Sequence, residues 1–327
     1  MKQRKLGAGG PTVSAIGLGC MSFGGIFGKT DLSASLRCLD AARDHGLTFL
    51  DVANIYGNGV CEEVLGTWFK GSTGKMVVAT KASIINGPPR RFDNSDAYLR
   101  AELEGSLKRM GIDHVDLFYI HRREEERPLE EVIGTLSRLI EEGKIGGYGL
   151  SEVSPGTVRR AHALHPCMAV QNEYSLWTRL PELGMIQTCA DLGIAFVPFS
   201  PVGRGAFGRE MLDPSQLHPK DFRLTIPRFQ GQDWADNAKK ILEYRALAAS
   251  MGHNPAALAM AWVLHQGEHL LPIPGTRTAE HLGDWIGASE IDLSAEDLAA
   301  IEAVLPVGWA YGDRYGQEQA MTVQRYC

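Results

Sequence analysis

Strand-like apolar runs alternate with helix-periodic stretches from Ala15 to Ile286, eight times over, at intervals of roughly 30–40 residues. The runs are Ala15–Leu18, Leu47–Asp51, Met76–Lys81, Val115–His121, Ile145–Leu150, Met168–Gln171, Ile194–Val197 and Leu271–Ile273. Helical periodicity fills 33–45, 62–69, 96–110, 129–142, 183–192, 234–250, 255–266 and 278–286, and Ser154 with Pro155 opens a further helix in the favoured cap-then-proline order. Gly46, Gly111 and Gly143 stand as stop signals. Eight such units close most simply as a (β/α)8 TIM barrel; a doubly wound sheet seldom sustains eight. Additions flank the repeat: an N-terminal hairpin around Gly9–Pro11, a long loop after strand seven (200–232), an extra helix over 292–304 capped by Ser294, and a C-terminal tail from Pro306. No linker interrupts the pattern, so residues 1–327 are expected to form one domain.

In a parallel barrel the carboxyl ends of the strands meet at one mouth, where catalytic groups gather. Asp51, Lys81 and His121 follow three consecutive strand runs, and Tyr56 comes shortly after Asp51. Singly, each has an ordinary reading: a turn cap, a half-buried aromatic, a solvated lysine, the start of a charged loop. Together they form a proton-transfer set. A free phenol titrates near ~10, and a nearby ammonium is expected to lower that value. Asp51 would hold Lys81 charged, His121 would orient a carbonyl oxygen, and Tyr56 would donate the proton. A hydride must come from a cofactor, because no side chain supplies one.

The net charge of −6 and pI near 5.9 argue against nucleic acid as a partner, and no apolar run reaches the ~20 residues of a membrane helix. The cysteines at 20, 38, 61, 167, 189 and 327 are scattered, with no Cys-x-x-Cys pair. They read as reduced thiols of a cytoplasmic protein, with no metal site. No heptad sets an oligomeric state.

Longer matches then point to a family. Leu6–Gly7, Gly17–Gly19, Phe49–Gly57, Ala79–Lys81, Leu107–Asp116, Tyr119–His121, Gly143–Ile145, Gly149–Ser151, Gln171–Tyr174, Phe199–Gly205 and Ile273–Arg277 resemble the aldo-keto reductases over nearly the whole chain. The resemblance implies a (β/α)8 barrel that reduces aldehydes or ketones with NADPH, NAD being the lesser alternative. Its tetrad falls on Asp51, Tyr56, Lys81 and His121, with the hydride coming from C4 of the nicotinamide. Gly19, Met21 and Asp51 would lie at the cofactor, Ser151 and Gln171 would bind its carboxamide, and Phe199 would stack on the ring. Ser200, Pro201, Val202, Gly203 and Gly205 would run under the pyrophosphate. Gly275, Thr276, Arg277, His281 and Asp284 would form the 2′-phosphate and adenosine pocket. The chain departs from the family at Glu152, often Asn, and at Asp284–Trp285, often Glu–Asn. For the substrate, a small carbonyl or alcohol, Phe23, Trp177 and Trp309 join Tyr56 and His121 as candidates.

Three other readings compete. Gly203–Gly208 matches the dinucleotide fingerprint G-x-G-x-x-G, but it lies late in the chain and opens no long helix. A Schiff-base role for Lys81 leaves Tyr56 unexplained. A cofactor-holding sensor or partner subunit of the same fold, with little turnover, is the alternative function.

Overall fold

The computed structural model describes residues 1–327 except 73, 88 and 327. Cys327 therefore lies outside the described residues; the other five cysteines are free and buried. A hairpin of β1 (Gln3–Lys5) and β2 (Thr12–Ser14) comes first, with Gln3 opposite Ser14. The repeating units follow: β3 (Leu18–Gly19) and α1 (Leu32–Asp44), β4 (Phe49–Asp51) and α2 (Val60–Phe69), then β5 (Val77–Ala82). A small hairpin of β6 (Ile84–Ile85) and β7 (Arg91–Phe92), which no sequence signal announced, precedes α3 (Asp96–Met110). Next come β8 (Leu117–Ile120) and α4 (Leu129–Glu141), β9 (Tyr148–Ser151) and α5 (Pro155–Leu164), β10 (Ala169–Gln171) and α6 (Met185–Leu192), and β11 (Ala195–Phe196). The long loop carries only short 3-10 turns before α7 (Gly231–Ser250) and α8 (Pro255–His265). Finally α9 (Ala279–Gly283), α10 (Ala295–Val304) and α11 (Gln317–Ala320) complete the chain. Asp31, Ser95 and Ser154 cap α1, α3 and α5, each accepting a backbone N–H of the first turn; Ser95 and Ser154 stand where local capping chemistry in the sequence puts them.

Seven strands pair in parallel in the order β3-β4-β5-β8-β9-β10-β11. The expected eighth strand is present as a seam and not as a ladder. Leu271 N and Ile273 N donate to Phe196 O (2.8 Å) and Pro198 O (3.0 Å) on one side. On the other side Gly17 N and Gly19 N donate to Pro272 O (3.0 Å) and Pro274 O (3.0 Å). Pro272 and Pro274 have no N–H to return, so only isolated bridges form there. The ring nonetheless closes into a (β/α)8 barrel. Gly19 belongs to that closure, since a Cβ there would lie 2.9 Å from Ile273 O.

Strand side chains alternate, so residues two apart share a face. The inward face reads Phe49, Val77, Ala79, Leu117, Tyr119, Ala169, Ala195, Val197, Leu271 and Ile273, all buried together. Leu6 and Val13 of the N-terminal hairpin join this cluster and plug the amino end of the barrel. Larger aliphatics on the outward faces pack under the helices. Continuing each inward series toward the carboxyl end leads to Asp51, Lys81, His121, Gln171, Phe199 and Gly275. Lys81 stands within β5 and not beyond it. No helix is long and apolar enough to cross a membrane among the described residues.

Candidate active site

Of these last inward positions Asp51, His121, Gln171, Phe199 and Gly275 line a cleft of about 710 Å³ at the carboxyl end of the barrel, while Lys81 lies beneath that lining. Lys81 is fully buried and Asp51 nearly so. Lys81 Nζ pairs with Asp51 Oδ1 and also donates to Val52 O (2.8 Å), while Gln171 Nε2 donates to Asp51 Oδ2 (2.8 Å). Burial pushes the lysine down and the carboxyl up, and each partner's charge pulls the other back. These hydrogen bonds to both members favour the ionic form.

Tyr56 rides the turn after β4, anchored by its N–H to Ala53 O (3.1 Å). Lys81 Nζ sits 5.2 Å from the Tyr56 ring centroid, and the His121 ring packs edge-on to that tyrosine at 5.7 Å. The expected lowering of the phenol is not what the geometry produces. Burial pushes Tyr56 well above its ordinary value, Asp51 pushes the same way, and the cation opposing them is Arg122. Lys81 faces the ring and is paired with Asp51. His121 is driven well below 6.5 by burial, then by Arg122 and Lys81. Its imidazole is neutral at pH 7, and its Nδ1 is buried without a protein partner among the described residues.

The cofactor-assigned residues divide. Gly19, Met21, Asp51, Ser151, Gln171, Phe199, Ser200, Val202 and Gly205 line the cleft on one stretch, and Gly275, Thr276, Arg277, His281 and Asp284 on another. Pro201 and Gly203 do not. Gly203 is packed so that a Cβ would meet the Trp177 and Phe207 rings at 3.0 and 3.1 Å. Ser200 holds a left-handed backbone (φ 54°), a conformation that recurs at functional sites. Arg277 donates to Phe27 O (3.0 Å) and Lys29 O (3.1 Å), tying the loop after β3 to the pocket. Asp284 pairs with Arg209 of the long loop, and Phe222 N donates to Ile26 O (3.2 Å), so that loop crosses the cleft.

Of the substrate candidates, Tyr56 and His121 line the cleft; Phe23, Trp177 and Trp309 do not. Phe23 is buried in a short turn over Cys20–Gly24. Trp177 and Trp309 stack on each other at 5.9 Å beside Phe207, and Trp309 Nε1 donates to Leu176 O (2.7 Å). Both aromatics anchor the tail and its neighbours in the core. Ile55, Ile84, Arg90, Arg122 and the tail residues Tyr315 and Gln319 line the cleft near Tyr56 and His121 in their place. Of these, Ile55 was a sequence candidate for the mouth; Arg122 read as part of an exposed charged run after His121, and the tail residues carried no periodic signal.

Glu152 has a left-handed backbone (φ 56°) and does not line the cleft. Its carboxylate accepts from Glu173 N (2.9 Å) and pairs with Arg314 of the tail. Glu173 pairs with both Arg314 (3.1 Å) and Arg204 (2.8 Å). Two strand ends, the long loop and the tail are thus fastened by one buried ionic network.

With the geometry in view, comparison with known proteins is direct. A family model described as "Aldo/keto reductase family" matches residues 15–306. The Glycine max protein named "Probable aldo-keto reductase 1" is 40% identical over 316 residues, covering 95% of this chain and 91% of that protein. The solved structure of the glycerol dehydrogenase AKR11B4 from Gluconobacter oxydans superposes with a TM-score of 0.84 at 25% identity, covering 93% of this chain and 94% of that one.

Proposed function

The chain belongs to the aldo/keto reductase family, and on that premise we propose that it reduces an aldehyde or ketone to the alcohol, reversibly, with NADPH. One observation carries the proposal: a phenol and a neutral imidazole line the cleft against a buried Lys81–Asp51 pair. A bound nicotinamide would supply the hydride to the carbonyl carbon. Other residues lining the cleft fit such a group: polar ends at Ser151 and Gln171, a phenyl face at Phe199, and an Arg277 guanidinium suited to a phosphate.

The remaining chemistry belongs to the side chains. His121 holds the carbonyl oxygen by a hydrogen bond from its neutral ring, which adds no charge until the oxygen gains it. Tyr56 gives its hydroxyl proton to that oxygen, and the phenolate left behind is stabilised by the cations around it. Burial keeps the phenol protonated beforehand, the form an acid needs. Asp51 fixes Lys81, and Gln171 fixes Asp51, so the cation beneath the ring cannot wander. In the alcohol-to-carbonyl direction the same groups run backward. Free thiols at the described cysteines suit a cytoplasmic enzyme.

The deciding experiment measures NADPH consumption over a panel of aldehydes and ketones, for wild type and Tyr56→Phe. Turnover should fall by about 100-fold or more without the phenol, while NADPH binding, read by fluorescence, stays. Slow, equal oxidation in both proteins would instead favour a cofactor-holding sensor.

A further inference from the structure

We infer that Arg122 is a specificity residue: it receives an oxyanion, carboxylate or phosphate monoester, carried by the carbonyl substrate. The inference rests on the reduction chemistry proposed above and deepens it to a substrate class.

Four observations support it. Arg122 is held in place by the backbone and by a neighbour on the mouth: its N–H donates to Ser83 Oγ (2.8 Å), and its Nη1 donates to His121 O (2.6 Å) and Ser151 Oγ (3.3 Å). It lines the cleft beside Tyr56 and His121 and is half-buried. It has no carboxylate partner among the described residues, whereas Arg204, Arg314, Arg223 and Arg209 around the same mouth each have one. The acids nearest along the chain fold do not serve it, because Glu152 and Glu173 are buried and committed to Arg314 and Arg204.

Charge bookkeeping sharpens the point. Lys81 with Asp51 sums to zero, as does Glu152–Arg314–Glu173–Arg204. What is left at the substrate wall is Arg122, with exposed Arg90 at the rim and only neutral residues such as Ile55, Ile84, Tyr315 and Gln319 between. A chain of net charge −6 therefore presents a positive face where its substrate enters. A half-buried guanidinium with donors to spare sits at a desolvation cost that an oxyanion relieves, and its planar fork matches two oxygens at once. Low-dielectric walls concentrate that field on an entering anion.

The test uses matched aldehydes: 4-formylbenzoate and 4-formylphenyl phosphate against methyl 4-formylbenzoate. Wild type should prefer at least one anion over the ester by about 10-fold or more in kcat/KM, and the preferred arm separates carboxylate from phosphate. Arg122→Gln should bring that ratio down by about 10-fold, to near one, mainly through KM, whatever loss the substrates share. Arg122→Lys should restore part of it, and Arg90→Ala, at an exposed position, should trim it by about 3-fold. Should Arg122→Gln fail to fold, these two variants carry the test. A wild-type ratio near one for both anions, or a ratio that survives loss of the guanidinium, overturns the inference; a purely structural Arg122 would lower all substrates together. Calorimetry of 4-(hydroxymethyl)benzoate on the NADP-loaded protein keeps the two readings apart. Arg122-dependent binding without any turnover would sink the reductase chemistry and leave the anion site standing. Turnover of the ester with no Arg122-dependent binding would do the reverse.

Discussion

At the scale of single residues, the site works by contrast in charge. One buried ion pair is locked, while the phenol and imidazole above it are held neutral. This gives the pH profile a sign. The folded-state phenol titrates above its ordinary value of 10, so reduction should hold steady across neutral pH and fall only as strongly alkaline pH is reached. Oxidation of the alcohol, which needs the phenolate, should rise with pH over the same range. Because burial depresses His121, neither profile should bend near 6.5. Stopped-flow rates in both directions would check this; a loss of reduction midway between neutral and alkaline pH would mean that the phenol is not raised. Arg277 yields a second prediction. Its replacement by Ala should raise KM for NADPH by about 10–100-fold and that for NADH by much less, since a charged hydrogen bond to phosphate is worth about 1.5–3 kcal/mol. The tetrad was legible because each member ends an alternating apolar run. Arg122's influence on Tyr56 was not, because it depends on which charges are already neutralised in space.

At the scale of elements, the striking of the balance between loop and tail falls to Glu173. Burial alone would raise its carboxyl, but Arg204, Arg314 and Arg228 outweigh that and hold it down to about 2, against 4.5 for the free group. A folded value below the unfolded one means stability that is complete above about pH 4.5 and drains away as pH falls toward about 2. Glu173→Gln should therefore cost about 3 kcal/mol at pH 7 and progressively less in acid. Urea melts at pH 7 and pH 3 would show the gap narrowing; an equal gap at both would deny the network its role. Helix ends such as Ser95 and Gly111 were legible from local capping chemistry alone. The long loop and the tail were not, because their order comes from ionic and aromatic partners far away in sequence: Arg314 reaches Glu152, and Trp309 reaches Leu176.

At the scale of the whole molecule, closure rests on a plug and a seam. Leu6 and Val13 fill the amino end of the barrel, and Arg4 binds the carbonyls of Leu264 (2.9 Å), Gly267 (2.9 Å) and Leu270 (2.5 Å) as the chain enters its eighth crossing. Leu6→Ala should lower unfolding free energy by about 2–5 kcal/mol through the cavity it leaves, with an unchanged denaturant slope. Retained stability would show that the hairpin is ornamental to the barrel. By itself the sequence determined the eightfold alternation, the helix caps and the polar residues that finish the inward series, because periodicity, capping and strand-end position are properties of neighbours along the chain. Only the tertiary structure decided that Trp177 and Trp309 belong to the core, that Tyr315 and Gln319 reach the cleft, that Pro272 and Pro274 turn the last strand into a seam, and that Arg122 is left without a counter-ion. Those outcomes depend on which side chains compete for the same volume and which charges cancel across it, and that competition is settled only when the ring closes.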